Sequence, residues 1–384
     1  MKIGVDIRVL MDKNYSGISE YTANLLSEIL KQDQANEYKL FYNSSKGHEA
    51  RLDYWAKNNS KLFATKYPNK IFNYFLQRVC TRPRLDNIVG GTDVFFAPHF
   101  NFLNVTKNTK LVVTVHDLSF LRYPEFFSKR KNFWHKALGI KKLLNRADFI
   151  VAVSENTKHD LMELLNIPKE KIRVIYSGNN CHASVITQET ITAFLNKQNL
   201  KNGFILSVGN IEPRKNISGL IIAYNQLRDK SPEIKHQLVL AGAKGWKHKK
   251  IFADWNKSPY KEDIKFLGYI DNQQKEMLYS RASVFVYPSF YEGFGFPPLE
   301  AMEFGLPVVS SNVSSLPEVL GGAALLINPF KSAEIAEAIE IVITQPNVRN
   351  ELIEKGKQRA ELFTWEKASQ EYLKLFSELN EKNN

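Results

Sequence analysis

At 384 residues the chain exceeds one ordinary α/β core, and two domains of roughly 150–200 residues are the natural division. With 43% hydrophobic and 24% charged residues it has a globular composition, which excludes disorder, and no run approaches the ~18 apolar residues of a membrane span. The net charge of +12 is unevenly placed: residues 1–190 hold 28 Lys and Arg against 18 Asp and Glu, so the first half faces either solvent or an anionic partner such as a membrane surface, a phosphorylated acceptor or nucleic acid.

Residues 1–10 form an apolar run broken by Asp6 and Arg8. A secretion signal needs an unbroken apolar core, so this reads as a first buried strand. Ser16-Gly17-Ile18-Ser19 then opens an amphipathic helix through Leu30, whose first turn can offer backbone amides to a phosphate. Residues 38–42, 93–97, 111–115, 149–153 and 172–176 read as further strands, β-branched or aromatic and mostly ended by Pro, Gly, Ser or Asp. The stretch 66–84 interleaves cations with aromatics. It suits an interfacial membrane segment, a single-strand nucleic-acid site or a surface helix packed by its aromatics. Cys80 and Cys181 have neither metal-ligand spacing nor a disulfide framework, which fits a reducing cytoplasm.

Residues 178–200 are polar and read as the interdomain linker. Strands resume at 203–208, 237–241, 264–267, 283–287, 307–310 and 323–327, with a helix from an Asn216 N-cap to Leu227 between the first two. Near-continuous apolar strands alternating with helices mean parallel sheets covered on both faces. The expected fold is therefore α/β, with two Rossmann-like domains facing a central cleft and ligands beyond the carboxyl ends of the strands. A last helix places Trp365, Ala368, Tyr372, Leu375 and Leu379 on one face and needs a surface to cover.

The informative residues follow strands. After 203–208 comes Gly209-Asn210-Ile211-Glu212-Pro213-Arg214-Lys215-Asn216. Gly209 permits a sharp exit, and Arg214 and Lys215 are adjacent cations suited to a diphosphate. After 283–287 comes a loop with Glu292, Gly293, Phe294 and Gly295. A helix follows, with Pro298 and Glu300 expected in its first turn and Gly305 as its stop. Glycines there let backbone amides approach a ligand. His116 stands just past strand 111–115, where an imidazole can reach a hydroxyl or phosphate. The chain has no Asp-x-Asp pair and no P-loop, so no metal or other cofactor is expected. Cations and helix ends must then meet the phosphate charge.

YEGFGFPPLEAMEFGLPVV resembles the Glu, seven residues, Glu signature of the family 4 retaining nucleotide-sugar glycosyltransferases, and SVGNIEPRKN resembles that family's Arg-Lys phosphate loop. SSNVSSLPEVLGGAALLINP, VVTVHDLSFLRYPEFFS and ADFIVAVSENTKHDL extend the resemblance over nearly the whole chain, toward the bacterial mannosyltransferase-like branch that builds surface polysaccharide. The resemblance implies the GT-B arrangement. Residues 1–180 would bind acceptor, with 363–384 packed back on them, and residues 200–362 would bind the nucleotide-sugar donor. It implies that Arg214 and Lys215 neutralise the diphosphate and that Glu292 bonds a hydroxyl of the transferred sugar. Amides near Gly293, Phe294 and Gly295 would face sugar and phosphate, with Gly209 on the donor side. Glu300 would hold the ribose, His116 would contact the sugar and Gly17 would lie near the phosphates. Ser154 matches a recurrent serine without an assigned role. Many relatives have two glycines near Gly17, where this chain has Ser16.

The expected reaction is retaining, metal-independent hexosyl transfer in polysaccharide or lipopolysaccharide synthesis, with mannose from GDP-mannose as the favoured donor and a glycan or lipid-linked acceptor. Contact with an anionic membrane and a site at the inner face of the cell membrane go with it, and no nucleic-acid partner is expected. The alternatives are a nucleotide-sugar epimerase or a phosphorylase on the same fold, or a non-catalytic basic protein binding membrane or nucleic acid.

Overall fold

The structure is a computed structural model that describes residues 1–11, 16–45, 47, 49–68, 72, 76, 83–179 and 186–381. Cys80, Cys181 and most of the basic stretch 66–84 lie outside the described residues. Among the described residues no helix is long and apolar enough to cross a membrane.

The chain divides into two compact units, each built on its own sheet. The first comprises Met1–Leu118, Arg130–Asn180 and Phe363–Asn384. Its strands are β1 (Lys2–Asp6), β2 (Glu37–Asn43), β3 (Ser60–Thr65), β4 (Val94–Ala97), β5 (Lys110–Val115), β6 (Phe149–Ala152) and β7 (Ile172–Val174), in the order β3-β2-β1-β4-β5-β6-β7. All neighbouring pairs are parallel. Central β4 is buried along its whole length, as a strand covered on both faces must be.

One of the covering layers comes from the far end of the chain. The Trp365–Glu381 helix buries Trp365, Ala368, Tyr372, Leu375 and Leu379, the stripe its periodicity predicts, together with Ser369 and Phe376. It lies against the Gly17–Gln32 helix. The Tyr372 hydroxyl is 2.6 Å from the Tyr21 hydroxyl and 2.7 Å from Thr114 Oγ1, so this buried face is bonded as well as packed.

The second unit comprises Cys181–Leu362 and Ser119–Lys129. Its strands are β8 (Phe204–Val208), β9 (Leu238–Ala241), β10 (Ile264–Gly268), β11 (Ala282–Tyr287), β12 (Val308–Ser311) and β13 (Leu325–Ile327), ordered β10-β9-β8-β11-β12-β13 and again parallel. The segment Ser119–Lys129, which falls inside the expected first domain, packs here through its aromatics. Phe126 stacks on Phe290 at 5.6 Å, Phe127 stacks on Trp246 at 5.4 Å, and Trp246 Nε1 donates to the Phe126 carbonyl at 2.6 Å.

Three local expectations are corrected. The edge strand β3 was not foreseen. The stretch 178–200 read as linker contains the Gln188–Lys197 helix, capped by Thr187 and burying Ile191, Phe194 and Leu195. Asn216 does precede the Ile217–Lys230 helix but makes no side-chain cap. It sits at φ 54°, and its side-chain Nδ2 donates instead to the Pro329 carbonyl at 2.7 Å.

Candidate active site

Strands β8 and β11 are parallel neighbours, so the loops after them leave the same sheet edge. The β8 exit is crowded: Gly242 has φ 150°, and a Cβ there would lie 2.0 Å from the Gly209 carbonyl oxygen. Beyond Gly209 the chain makes one 3-10 turn, Pro213–Lys215, which carries both cations. Arg214 Nη1 lies 2.7 Å from Glu292 Oε2 and Lys215 Nζ 2.6 Å from Glu292 Oε1, so one carboxylate from the β11 loop bridges the pair. Arg214 also donates to the Tyr291 carbonyl at 2.8 Å, and its Nη2 lies 3.0 Å from Glu212 Oε1. Lys215 donates to the Tyr287 hydroxyl at the end of β11 and sits 4.7 Å from that ring's centroid.

These groups are largely withdrawn from water, with side-chain exposures of 14% for Arg214, 11% for Lys215 and 9% for Glu292. Burying an ion costs several kcal/mol unless a partner offsets it. Burial alone would raise the Glu292 carboxyl, but the Arg214 and Lys215 charges outweigh it and hold the group at about 2. Burial lowers the Lys215 ammonium despite Glu292 beside it. Burial also raises the Glu212 carboxyl, against the pull of Arg214. Cations, carboxylate and ring thus form a fixed electrostatic cluster, of the kind that can meet a multiply charged ligand.

The loop holding Glu292 is pinned from below. The Glu292 amide donates to Ser314 Oγ at 2.9 Å, and buried Ser315 Oγ lies 3.0 Å and 2.9 Å from the Glu292 and Phe294 carbonyls. Gly295, at φ 108°, turns the chain into the Phe296–Glu303 helix, and a Cβ there would press on Leu316 at 2.8 Å. Pro297 and Pro298 occupy the first turn and bring no N–H, so fewer amides are offered there than a glycine-rich loop suggests. Glu300 falls in the second turn, not the first as expected. Its partners are Lys275 at 2.9 Å and the Tyr279 hydroxyl at 2.9 Å, both from the Asn272–Tyr279 helix.

Two expected residues belong to the first unit. His116 follows β5, with Nε2 2.9 Å from the Pro98 carbonyl and its ring edge-on to Tyr21 at 4.6 Å. Burial lowers its imidazole to about 4, so it is neutral near pH 7, and Nε2 then carries the proton donated to Pro98. Gly17 is the first residue of the Gly17–Gln32 helix, where Ser16 Oγ already accepts from the Ser19 amide. Ser154 plays a structural part, its Oγ capping the Glu155–Leu165 helix by accepting from the Thr157 amide at 3.1 Å. His159, Asp160 and Glu163 of that helix have metal-ligand atoms within 4.8 Å of one another, but two of the three are exposed.

The structure therefore joins Arg214, Lys215 and Glu292 in direct contact, flanked by Gly209, Gly293, Phe294 and Gly295, while Glu300 sits in its own ion pair. Sequence reasoning missed Glu212, Tyr287, Ser314, Ser315, Lys275 and Tyr279. Glu212 stands two residues before Arg214 in the same loop and was within reach of that reasoning. Lys275 and Tyr279 carry no comparable signal, being two residues one turn apart on an ordinary helix.

Residues 15–182 match the family described as Glycosyltransferase Family 4, and residues 189–359 match Glycosyl transferases group 1. The chain is 32% identical to the O-antigen chain mannosyltransferase B of Escherichia coli, over 91% of this chain and 93% of that one. It is 29% identical to the O-antigen chain mannosyltransferase RfbU of Salmonella typhimurium, over 61% of each. It is also 30% identical to the Escherichia coli serotype-specific mannosyltransferase WbdA, where the match spans 67% of this chain but only 32% of that longer protein. Among solved structures, sucrose-phosphate synthase from Thermosynechococcus elongatus superposes with a TM-score of 0.74 at 20% identity, covering 99% of both chains. Anabaena Alr3699/HepE in complex with UDP and glucose superposes at 0.72 with 18% identity, covering 98% of this chain and 100% of that one. At such identities these two bear on the fold alone, the two-sheet GT-B α/β architecture.

Proposed function

The chain belongs to glycosyltransferase family 4, and from that premise we propose that it transfers mannose from GDP-mannose to a glycan or lipid-linked acceptor of a surface polysaccharide, with retention and without a metal ion. The names of the relatives support the sugar. The observation that carries the chemistry is the contact of Arg214 and Lys215 with Glu292 at the strand ends of the second unit. The same reading gives donor binding to the second unit and acceptor binding to the first. It places the protein at the inner face of the cell membrane, where a nucleotide sugar meets a lipid-linked acceptor.

The slow event in sugar transfer is breaking the bond between the anomeric carbon and the β-phosphate oxygen. Positive charge grows on the sugar and negative charge on the leaving diphosphate. Arg214 and Lys215 stabilise that oxygen as it departs, and fixed charge aimed at a developing charge is the main way such a site lowers the barrier. The acceptor hydroxyl bonds to the anomeric carbon on the same face, and its proton passes to the departing phosphate oxygen, leaving GDP. Glu292, held at about 2, is too weak a base to take that proton and serves as an ionised acceptor for a sugar hydroxyl. His116 of the first unit is neutral near pH 7, and the resemblance assigns it a sugar contact. Glu300, bonded to Lys275 and Tyr279, is the residue this reading gives to the ribose hydroxyls. The same reading gives the amides of Gly293, Phe294 and Gly295 to the sugar and phosphate, and the resemblance assigns Gly17 to the phosphates.

A thermal-shift panel of GDP, UDP, ADP and their common sugars, with and without EDTA, tests the donor site. A ligand at a hundred times its dissociation constant adds about 2.7 kcal/mol to the folded state. For a unit of this size that is roughly 5–10 °C. The expected result is such a shift with GDP and GDP-mannose that EDTA leaves unchanged. A shift with another base renames the donor, loss of the shift in EDTA removes the metal-free mechanism, and no shift at all removes the donor site.

A further inference from the structure

The Lys129–Ala137 helix has no buried residue. A surface helix ordinarily sinks one stripe of its circumference into the protein. This one leaves Phe133 74% exposed and Trp134 41% exposed. Arg130, Lys131 and Lys136 are exposed along it, and Lys141 and Lys142 are exposed on the Ile140–Arg146 helix that follows. No Asp or Glu occurs between Glu125 and Asp148. The patch has a fixed support: Leu138, Ile140 and Leu144 are buried, and the Trp134 ring meets Phe102 edge-on at 6.3 Å. An aromatic pair thus stands outward on a fixed support, among cations and in a stretch of chain that carries no acidic residue.

Two exposed rings suit an apolar partner, and the exposed cations around them suit a polyanionic one. A bilayer with anionic headgroups supplies both, with acyl chains beneath a negatively charged surface. Single-stranded nucleic acid would want rings set in a groove beside the backbone track, whereas these rings stand on a helix that buries nothing. We propose that residues 130–142 are the surface by which the protein docks on anionic membrane, with Phe133 and Trp134 seated at the headgroup boundary and Arg130, Lys131, Lys136, Lys141 and Lys142 on the headgroups. This deepens the membrane-side reading of the transferase, naming the surface that meets the lipid.

Flotation with phosphatidylcholine vesicles, with and without phosphatidylglycerol, at low and high salt, tests it on the whole protein. The wild type should float with the anionic vesicles only, and less at high salt. Each cation near the surface contributes about fivefold to partitioning. The Lys141→Gln/Lys142→Gln variant should therefore bind roughly 25-fold more weakly, and Phe133→Ser should lose the binding that survives high salt. Both variants should keep the wild-type melting temperature and should transfer sugar to a water-soluble acceptor at the wild-type rate. Folded variants that float like the wild type overturn the proposal. So does a wild type that ignores anionic vesicles, or one that prefers a single-stranded oligonucleotide to them. Absence of transfer in wild type and variants alike, with the wild type still binding anionic vesicles and the variants not, strikes the transferase reading instead.

Discussion

The Glu292 carboxylate is shared by two cations, so Arg214 and Lys215 are each held by a group that a sugar hydroxyl or a phosphate can later compete for. The pairing itself was not legible in the sequence, because Glu292 lies 77 residues beyond Lys215 and only the neighbouring parallel strands bring the two loops together. The residue types were legible, since cations after one strand and a Glu beside glycines after another have few structural uses. His116 makes the pH prediction at this scale. Its folded value of about 4 lies below the ordinary 6.5, so the unfolded chain binds the proton more readily. Its neutral form therefore contributes stability that is present above about 6.5 and lost as pH falls toward 4. Between pH 7 and 4.5 this amounts to about 2 kcal/mol. Urea unfolding should show the wild type losing that much more than His116→Gln, which keeps a donor for the Pro98 carbonyl. Equal losses in both proteins would mean the imidazole is not held neutral.

Among elements, the parallel strands were readable because a strand covered on both faces tends to be apolar throughout, as β4 and β9 are. β3 escaped because it is a sheet edge: its sequence SKLFAT is mostly only partly buried and begins in a polar stretch. The Gln188–Lys197 helix escaped because its buried Ile191, Phe194 and Leu195 sit among residues of turn-like composition. The Trp365–Glu381 helix shows the opposite case, an apolar stripe that demanded a partner and found it in the Gly17–Gln32 helix. Its hold on that unit is partly polar. Tyr372→Phe would leave the buried Tyr21 and Thr114 hydroxyls without the oxygen they now share, a cost of about 1–3 kcal/mol. The double variant Tyr21→Phe/Tyr372→Phe should lose less than the sum of the two single losses, because both single changes break one bond. Strict additivity in urea unfolding would show that the hydroxyls do not act together.

For the molecule as a whole, two parallel sheets followed from strand–helix alternation with a break near the middle, and that much was in the sequence. The excursion of Ser119–Lys129 into the second unit was not, since it depends on Phe126 and Phe127 meeting Phe290 and Trp246, partners more than 110 residues away. The central claim is that the cations of the second unit carry off the diphosphate while the sugar keeps its configuration. The most direct test incubates the protein with GDP-mannose and acceptor lipids in EDTA, follows GDP release, and reads the anomeric configuration of the new linkage by NMR, beside Arg214→Ala and Lys215→Ala. The account predicts an α-mannosyl product from the α-linked donor, with turnover in each variant lower on the order of 10²-fold or more. A β-linked product, or variants that turn over at the wild-type rate, would contradict it.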